Sequence, residues 1–468
     1  MLESDLDSVI NRIDSVVLGS GPAGLAAALS LIKNGKKTLI IDQGLNSQNF
    51  FSTESINFID KPVGGIGGVA KIWGGQCGTF TEKDESDWKN CVSNETWTKL
   101  ESGLATVADF LNIPISKYNR YSHLDVGFRK IIDAYGELEL LHTVYAPYLE
   151  FETLFASLLK SDMLFLYEDT IVNLSTKEFD QVHEVVLQSG KVLDVRSKIV
   201  IIATGTIPTT RFIGNCFPTS VEITPEILDH PQAYVIEVFG RLPWAFRKNA
   251  LIQSKGYRFK RKIVFRKKNR ECIFEIHAII GSGRKELRQK FAFKEAILFV
   301  HYLLNYFGMK IFRRPLTSEC TYLIWIQIDQ IRKSPRKADE SAINSELSWS
   351  IDPSDLEFIQ NATDQFADFL RVHGIRDFRI FSRSDIESSI IHSYHPSSTM
   401  ELSNRNIGTL VNQLGLLSEK SNFAITSAAI FPFAGWINPT LIIMGFAYAS
   451  AENLISRMES QIPLPPQY

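Results

Sequence analysis

Short apolar runs and a small-residue helical pattern alternate near the start of the chain. Ser15–Gly19 is an apolar run of the length expected for a buried parallel strand. Leu25–Lys33 is rich in Ala and Leu, which favours helix, and Gly35 is placed to end that helix. Thr38–Asp42 is a second apolar run of strand length. The pattern therefore predicts a strand–helix–strand unit.

Other periodic patterns predict strands, a hairpin and two helices further along. Asp162–Leu187 alternates apolar and polar residues as a strand does. Ile263–Phe265 and Cys272–Ile276 flank a short basic stretch, which predicts a hairpin with a basic tip. Phe291–Phe312 is rich in Phe, Tyr and Leu and predicts an amphipathic helix. Thr440–Met458 predicts a long helix near the C-terminus.

Composition places the chain among ordinary globular proteins. Of its 468 residues, 44% are hydrophobic and 22% are charged, which excludes disordered and fibrous classes. The longest strongly apolar stretches, Ala296–Phe307 and Leu441–Ala451, are too short to cross a membrane. The acidic N-terminus lacks the apolar core of a secretory signal, and the five scattered cysteines form no CxxC pair. These features predict a cytoplasmic protein without a metal site.

The formal net charge of -2 hides an uneven distribution. Arg241–Lys290 holds 16 Lys and Arg against 3 Asp and Glu, so the rest of the chain is acidic. Three interpretations fit this basic segment: a solvated sheet edge, attraction of an anionic substrate, and docking to an anionic membrane surface with Phe291–Phe312 in the interface. No nucleic-acid-binding motif accompanies the charge, so nucleic acid is not an expected partner.

The turn between the first strand and the first helix carries a candidate binding motif. Gly19, Gly21 and Gly24 form a GxGxxG fingerprint, in which the glycines permit a tight turn, close approach to a pyrophosphate, and close helix packing. The helix N-terminus offers free N–H groups to the anion. Asp42, 18 residues after Gly24, can accept hydrogen bonds from a ribose diol. The motif predicts a dinucleotide site, and its position at the start of the chain is more typical of FAD than of NAD. No second such unit follows, so an NAD(P) domain is not expected.

Six landmarks, in order, resemble those of the glucose–methanol–choline (GMC) oxidoreductases. The fingerprint is the first. The other five are the Gly-rich loop of residues 64–75, Ile199–Arg211, Leu228–Pro231, Tyr394–Met400, and Phe431-Pro432 with Asn438–Leu441. The segment Arg241–Asp385 matches the family poorly.

The resemblance implies an α/β fold and non-covalent FAD. A discontinuous Rossmann-type FAD-binding domain is expected at 1–220 and 390–468, with an inserted α+β substrate domain, built on a mostly antiparallel sheet, at 221–389. Some family members tether the flavin through a His at the position of Ile72, so no tether is expected here. The fingerprint and the resemblance together place FAD contacts at Gly19, Gly21, Pro22, Ala23, Gly24, Asp42, Gln43, Gly68, Trp73, Gly74, Gly75, Val172, Ala203, Gly205, Ala429, Asn438, Pro439 and Thr440.

The resemblance also implies a catalytic pair. Oxidation of an alcohol by a flavin removes a hydride from carbon and a proton from the hydroxyl group. A histidine suits as the base because its pKa lies near neutrality, and a second polar group must orient the oxygen. His395 matches the family's base and Asn438 its partner. The expected reaction converts a CH–OH group of a sugar, glycoside or other alcohol to a carbonyl.

Departures from the family pattern leave alternatives open. Ser427, Ala429 and Ser398 replace residues that are usual in the family. A lyase or isomerase with structural FAD, and a membrane-docked flavoprotein that needs a partner, are both compatible with these changes. Because the landmarks concern the cofactor, they fix neither the electron acceptor nor the substrate, which could be neutral, anionic or lipid-linked.

Overall fold

The structure is a computed structural model. It describes residues 6–44, 65–68, 70, 75–145, 155–178, 181–217, 220–224, 226–239, 242–247, 251–279, 321–331, 347–393, 395–402 and 409–460. The predicted helix Phe291–Phe312 and the predicted FAD contacts Trp73 and Gly74 lie outside these ranges, as does Ile72. No helix within the described ranges is long and apolar enough to cross a membrane.

Short strands and helices alternate along the described chain. The strands are β1 (Ser15–Leu18), β2 (Thr38–Asp42), β3 (Gln76–Cys77), β4 (Leu138–Tyr145), β5 (Leu164–Glu168), β6 (Ile171–Glu178), β7 (Gln181–Leu187), β8 (Val192–Asp194), β9 (Ile199–Ile202), β10 (Val221–Ile223), β11 (Gln232–Val238), β12 (Leu251–Ser254), β13 (Tyr257–Lys267), β14 (Arg270–Ile279), β15 (Thr321–Ile328), β16 (Phe378–Ile380), β17 (Met400–Leu402) and β18 (Phe423–Ile425). The helices are α1 (Leu6–Ile10), α2 (Pro22–Lys33), α3 (Glu82–Cys91), α4 (Asn94–Phe110), α5 (Val126–Asp133), α6 (Ala156–Leu159), α7 (Thr206–Cys216), α8 (Trp244–Arg247), α9 (Pro353–Val372), α10 (Arg383–Ser389), α11 (Thr409–Asn412) and α12 (Thr440–Ser460).

A parallel sheet holds strands in the order β18–β9–β1–β2–β5. Val17 of β1 lies opposite Ile40 of β2 on one side and opposite Ile201 of β9 on the other. Every residue of these three strands is buried, in keeping with their continuous apolar runs. The chain leaves β1 on one side and returns on the other, so a crevice opens at the carboxyl ends of β1 and β9.

Helix α12 reaches this crevice because it packs very closely on α4. A Cβ atom on Gly445 would lie 2.7 Å from the Cα atom of Leu104, and one on Gly103 would lie 2.4 Å from the carbonyl oxygen of Gly445. Only glycine on each helix permits this approach. Helix α12 also packs on α2, so the positions of the two helix N-termini are fixed relative to each other.

An antiparallel eight-stranded sheet has the order β16–β11–β15–β14–β13–β4–β3, with β12 paired to β13. One face is apolar and is covered by α9, where Phe366 stacks on Phe274 with ring centroids 4.3 Å apart. The opposite face carries polar and charged side chains. The predicted α/β class with a second, mostly antiparallel sheet is confirmed. Strands β3 and β4 precede residue 220, so this sheet draws on both sides of that position.

The part of the basic segment that forms β13 and β14 lies within this sheet rather than at its margin. The predicted hairpin is formed by β13 and β14, which both have strand neighbours on each side. Five of its basic side chains pair with acids, of which Asp125, Glu139 and Asp355 lie outside the segment and Glu271 and Glu275 lie within it. These pairs are Arg261 with Asp125, Arg266 with Glu139 and Glu271, Arg270 with Asp355, and Lys260 and Lys262 with Glu275. Three acids from outside the segment therefore offset part of the excess charge counted along the sequence.

Candidate active site

A cavity of about 420 Å³ lies at the carboxyl ends of β1, β2 and β9. The N-termini of α2, α7 and α12 face it. The lining residues are Gly19, Gly21, Pro22, Ala23, Ile41, Asp42, Gln43, Gly68, Ala70, Thr170, Ile171, Ala203–Pro208, Phe212, Ser393, His395, Pro396, Thr426–Ala428, Asn438–Thr440 and Ile443. Three helix N-termini at one cavity provide free backbone N–H groups that favour an anion.

The three fingerprint glycines are required for different reasons. A Cβ atom on Gly19 would lie 2.4 Å from the carbonyl oxygen of Ala203, and Gly19 has a φ of +102°. A Cβ atom on Gly24 would lie 2.0 Å from the carbonyl oxygen of Gly19. Gly21 differs, because its φ of -67° suits any residue and a Cβ atom there would meet nothing within 4 Å among the described residues. The protein itself therefore gives no steric reason for glycine at position 21, which lines the cavity.

Asp42 connects three backbone segments beside the cavity. Its carboxylate accepts hydrogen bonds from the N–H groups of Ser20 at 2.8 Å, Gly44 at 3.0 Å and Gly65 at 2.7 Å. This side chain was predicted to bind a ribose diol. In the structure it also holds the fingerprint turn and residues 65–68 in register, so its loss would disturb the whole cleft.

Two histidines form a hydrogen-bonded chain at the cavity. The Nε2 atom of fully buried His230 lies 2.8 Å from the Nδ1 atom of His395, and the Nδ1 atom of His230 lies 3.2 Å from the carbonyl oxygen of Gly435. A carbonyl only accepts, so Nδ1 of His230 carries the hydrogen. In a neutral ring Nε2 is then an acceptor, and Nδ1 of His395 must donate to it. The Nε2 atom of His395, which has no hydrogen-bond partner in the described part of the chain, consequently holds a lone pair.

Burial keeps both imidazoles neutral. It lowers the pKa of His395 from 6.5 to about 4. It lowers the pKa of His230 well below 6.5, and the neighbouring charges of His395 and Lys262 act in the same direction. Both rings are thus uncharged at neutral pH, as the assigned tautomers require.

Backbone pairing brings the two histidines together. Leu228 bridges to Ser397 and Gln232 bridges to Ile391, so the segments on either side of each histidine run antiparallel. The carboxylate of Asp229 accepts from the backbone N–H groups of His230 at 2.7 Å and Ser393 at 3.0 Å. This arrangement fixes the ring separation through the main chain.

The geometry of the pair argues against a metal ion. Asp229, His230 and His395 offer ligand atoms within 4.8 Å of one another. Two imidazole nitrogens on a tetrahedral ion, each bonded at 2.0–2.1 Å, would be roughly 3.3 Å apart. The observed 2.8 Å, together with the forced donor and acceptor roles, describes a hydrogen bond instead.

The loop before α12 is held by the eight-stranded sheet. The N–H group of Gly435 donates to Asp329 at 3.0 Å, and the indole N–H of Trp436 donates to Glu271 at 3.0 Å. The carbonyl of Trp436 accepts from Gln327 at 2.7 Å. Asn438 follows this loop and lines the cavity, as does His395. We refer to residues 435–438 as the anchored loop.

Comparisons with known proteins agree with this architecture. A family model described as "FAD binding domain" matches residues 14–71. No curated protein matches the sequence. FAD is the cofactor of this protein.

Solved FAD enzymes share the fold at low sequence identity. Pyridoxine 4-oxidase from Mesorbium loti has a TM-score of 0.53 and 13% identity, over 94% of this chain and 98% of that one. A formate oxidase from Aspergillus oryzae RIB40 has a TM-score of 0.55 and 12% identity, over 96% and 99%. A fungal aryl-alcohol oxidase has a TM-score of 0.51 and 11% identity, over 95% and 99%.

The cleft fits FAD at Gly21, where the described residues leave space that no side chain fills. The space beside Gly21 adjoins the N-terminus of α2, where a pyrophosphate would find free N–H groups and no Cβ atom. The cavity also extends past Gly205, whose φ of +84° and open surroundings keep the start of α7 clear. A dinucleotide could follow this path because neither Gly21 nor Gly205 carries a side chain that would block it.

Most predicted FAD contacts that fall in the described residues line the cavity. These are Gly19, Gly21, Pro22, Ala23, Asp42, Gln43, Gly68, Ala203, Gly205, Asn438, Pro439 and Thr440. Gly24, Gly75, Val172 and Ala429 do not line it. Val172 is half exposed while Thr170 and Ile171 face the cavity, and Ala429 is fully buried behind Ser427 and Ala428.

Sequence reasoning missed several residues that the structure brings to the site. His230 was quoted only as part of a landmark, although its Asp-His-Pro context was the available signal. The first turn of α7, including Thr206, also faces the cavity. A glycine between a buried strand and a helix, as at Gly205, was the signal for that second anion-facing helix end.

Proposed function

We propose that this protein is a GMC-type, FAD-dependent oxidoreductase that oxidises a CH–OH group to a carbonyl. The observation that carries the proposal is the series of hydrogen bonds from Gly435 through His230 to His395. It leaves one nitrogen of His395 unprotonated in a residue that lines the FAD cleft. A lone pair beside a flavin cleft is the requirement for a base in alcohol oxidation.

Residues of the protein accept the proton and orient the substrate. His395 accepts the hydroxyl proton at Nε2 while Nδ1 stays bonded to His230. Asn438 orients the substrate oxygen through its side-chain amide, and the anchored loop keeps that amide in place. FAD, when bound, supplies the acceptor for the hydride. His230 is fully buried, so water does not compete for its hydrogen bond with His395.

The domain assignment is part of the same proposal. We assign residues 1–220 and 390–468 to FAD binding and 221–389 to the substrate. Two clusters of buried apolar side chains support two regions: the first includes Val17 and Ile201, and the second includes Phe274 and Phe366. The clusters overlap the assigned ranges, because Leu140 belongs to the second and Ile273 to the first. The substrate is assigned to the alcohols, with sugars and glycosides among them.

Anaerobic spectroscopy of the yellow holoenzyme tests the proposal. We expect an alcohol or sugar panel to contain substrates that bleach the flavin, and His395→Ala to abolish bleaching while FAD stays bound. His392→Ala is the matched control, because His392 lies in the same loop but outside the histidine chain, where its ring meets Trp349 edge-on. Bleaching that survives in His395→Ala would refute the assigned base. Substrate conversion without bleaching would instead identify a lyase or isomerase.

A further inference from the structure

A charged cluster occupies the polar face of the eight-stranded sheet, close to the histidine chain. It comprises Lys260, Lys262, Glu275 and His277, and we call it the lysine cluster. Glu275 lies opposite Trp325 in the pairing of β14 with β15, two residues along from the pair of Ile273 with Gln327. Alternation along a strand puts Glu275 and Trp325 on the same face as Gln327.

That face is turned towards the active site. Gln327 donates to the carbonyl of Trp436 in the anchored loop, whose Gly435 accepts from His230. Burial is the main cause that lowers the pKa of His230, and the positive charge of Lys262 contributes in the same direction. The lysine cluster is therefore within electrostatic reach of the proposed base and its hydrogen-bond partner.

The lysine cluster has more donors than acceptors. One oxygen of Glu275 accepts from Lys262, and the other contacts Lys260 and accepts from His277 at 3.0 Å. Two ammonium groups thus share one carboxylate, which leaves an excess positive charge. Lys262 is 4% exposed, and Glu275 is its hydrogen-bond partner among the described residues. An ammonium has three N–H groups, so this buried cation is only partly satisfied.

Trp325 adds a second unsatisfied donor on the same face. Its indole N–H is buried and has no acceptor among the described residues. Buried donors normally find partners, and a buried charge requires compensation. A ligand that brings oxygen acceptors and negative charge would satisfy both groups at once.

We propose that Lys262 and Trp325 form a subsite for an oxyanion, so that the alcohol oxidised by this protein carries a carboxylate or phosphate group. The inference rests on the proposed function for the identity of the reacting group, but not for binding of the anion. It assigns Lys262 a role in substrate selection rather than in proton transfer. It also gives two side chains of the basic segment, Lys260 and Lys262, a specific purpose.

Calorimetric titration of the FAD-loaded protein tests anion binding without turnover. The probes are benzoate, its neutral analogue benzamide, and inorganic phosphate. We expect benzoate or phosphate to bind at least about tenfold more tightly than benzamide, and Lys262→Met to remove that preference. Trp325→Phe, which deletes only the indole N–H donor and keeps an aromatic ring, should weaken anion binding about threefold to tenfold. It provides an independent variant if Lys262→Met folds poorly.

Lys255→Met is the charge-matched control, because Lys255 is exposed in the turn between β12 and β13. It should leave all affinities unchanged. Equal affinity for benzoate, phosphate and benzamide would overturn the subsite, as would an anion preference that persists in both Lys262→Met and Trp325→Phe.

Rates of flavin reduction show which oxyanion the subsite takes and, separately, whether the protein oxidises alcohols. Glucose is compared with glucose monophosphate, and benzyl alcohol with hydroxymethylbenzoate. Faster reduction by the phosphorylated or carboxylated member of a pair supports the subsite and identifies which oxyanion it takes. Faster reduction by the neutral member of both pairs overturns it. Anion binding without reduction by any alcohol would support the subsite and count against the proposed oxidation.

Discussion

The Nε2 atom of His230 lies 2.8 Å from the Nδ1 atom of His395, and this hydrogen bond has only one consistent direction. The carbonyl of Gly435 behind His230 can accept but cannot donate. The series of hydrogen bonds therefore ends at Gly435, and a proton taken up by His395 cannot leave through His230. It must leave by the side on which it arrived, through the cavity.

The first prediction concerns the pH dependence of flavin reduction. The pKa of His395 is lowered to about 4 by burial, and a base works only when it is unprotonated. The rate constant for reduction should be constant above about pH 5 and fall about tenfold per unit below about pH 4. Anaerobic stopped-flow absorbance measures it. A midpoint near the ordinary histidine value of 6.5 would show that His395 is solvated or is not the base.

The second prediction concerns His230. In His230→Gln, the side-chain carbonyl can still accept from Nδ1 of His395, whereas His230→Leu offers no acceptor. We expect the glutamine variant to reduce FAD within about tenfold of the native rate and the leucine variant to lose about a hundredfold. Proton–nitrogen correlation NMR of labelled histidines should show the Nδ1–H form of His395 in the native protein and its loss in His230→Leu. Equal rates in the two variants would contradict the positioning role.

The third prediction separates FAD binding from folding. Gly21→Ala should leave the stability of the apoprotein within about 0.5 kcal/mol, because the added methyl group meets no other described residue within 4 Å. The FAD dissociation constant should rise at least about tenfold, because that methyl group would occupy the pyrophosphate path. Gly127→Ala, in α5 and with equally open surroundings, is the control. Unchanged FAD affinity in Gly21→Ala would place the pyrophosphate elsewhere.

The fourth prediction concerns a strained residue beside the proposed base. Ser398 has a φ of +61° and is fully buried, and its hydroxyl has no hydrogen-bond partner within the described residues. Ser398→Gly should raise the free energy of unfolding by about 1 kcal/mol, because it removes the strain and the unsatisfied hydroxyl. Ser398→Ala keeps the strain and should gain less. Urea titration ranks the variants, and destabilisation of Ser398→Gly would show that the hydroxyl is paired in solution.

The fifth prediction concerns a buried carboxyl group beneath the anchored loop. The pKa of Asp84 is raised from 3.8 to about 7, because it is buried and close to Glu271. The folded protein then keeps a proton that the unfolded chain has released. This stabilising contribution is complete below about pH 4 and is lost as the pH rises to about 7. Asp84→Asn should flatten the pH dependence of the free energy of unfolding by about 1 kcal/mol per unit across that range. The same slope in both proteins would refute the shift.

The sequence predicted the elements whose signals are local. The strand–helix–strand unit, the fingerprint glycines and the N-terminus of α12 follow from residue types at fixed spacing, and the structure places them around one cavity. Val172 and Ala429 are predicted cofactor contacts that do not line the cavity. Their neighbours Ile171 and Ala428 do, because adjacent side chains in a strand or a 3₁₀ turn point in different directions.

Other features depend on contacts that no local pattern encodes. His230 and His395 are 165 positions apart and meet only through strand bridges. The basic segment is a block of positive charge along the sequence, and Asp125, Glu139 and Asp355 come from elsewhere in the chain to offset part of it. Net charge along a sequence therefore could not distinguish paired lysines from the incompletely paired Lys262.

The anchored loop also limits how this protein can be changed. Asn438 belongs by sequence to the C-terminal segment, yet Glu271, Gln327 and Asp329 of the antiparallel sheet hold the residues before it. The two regions are therefore not interchangeable modules. A substrate region transplanted from a relative would alter the support of the flavin side as well, so engineering of selectivity should retain these three side chains and change their neighbours.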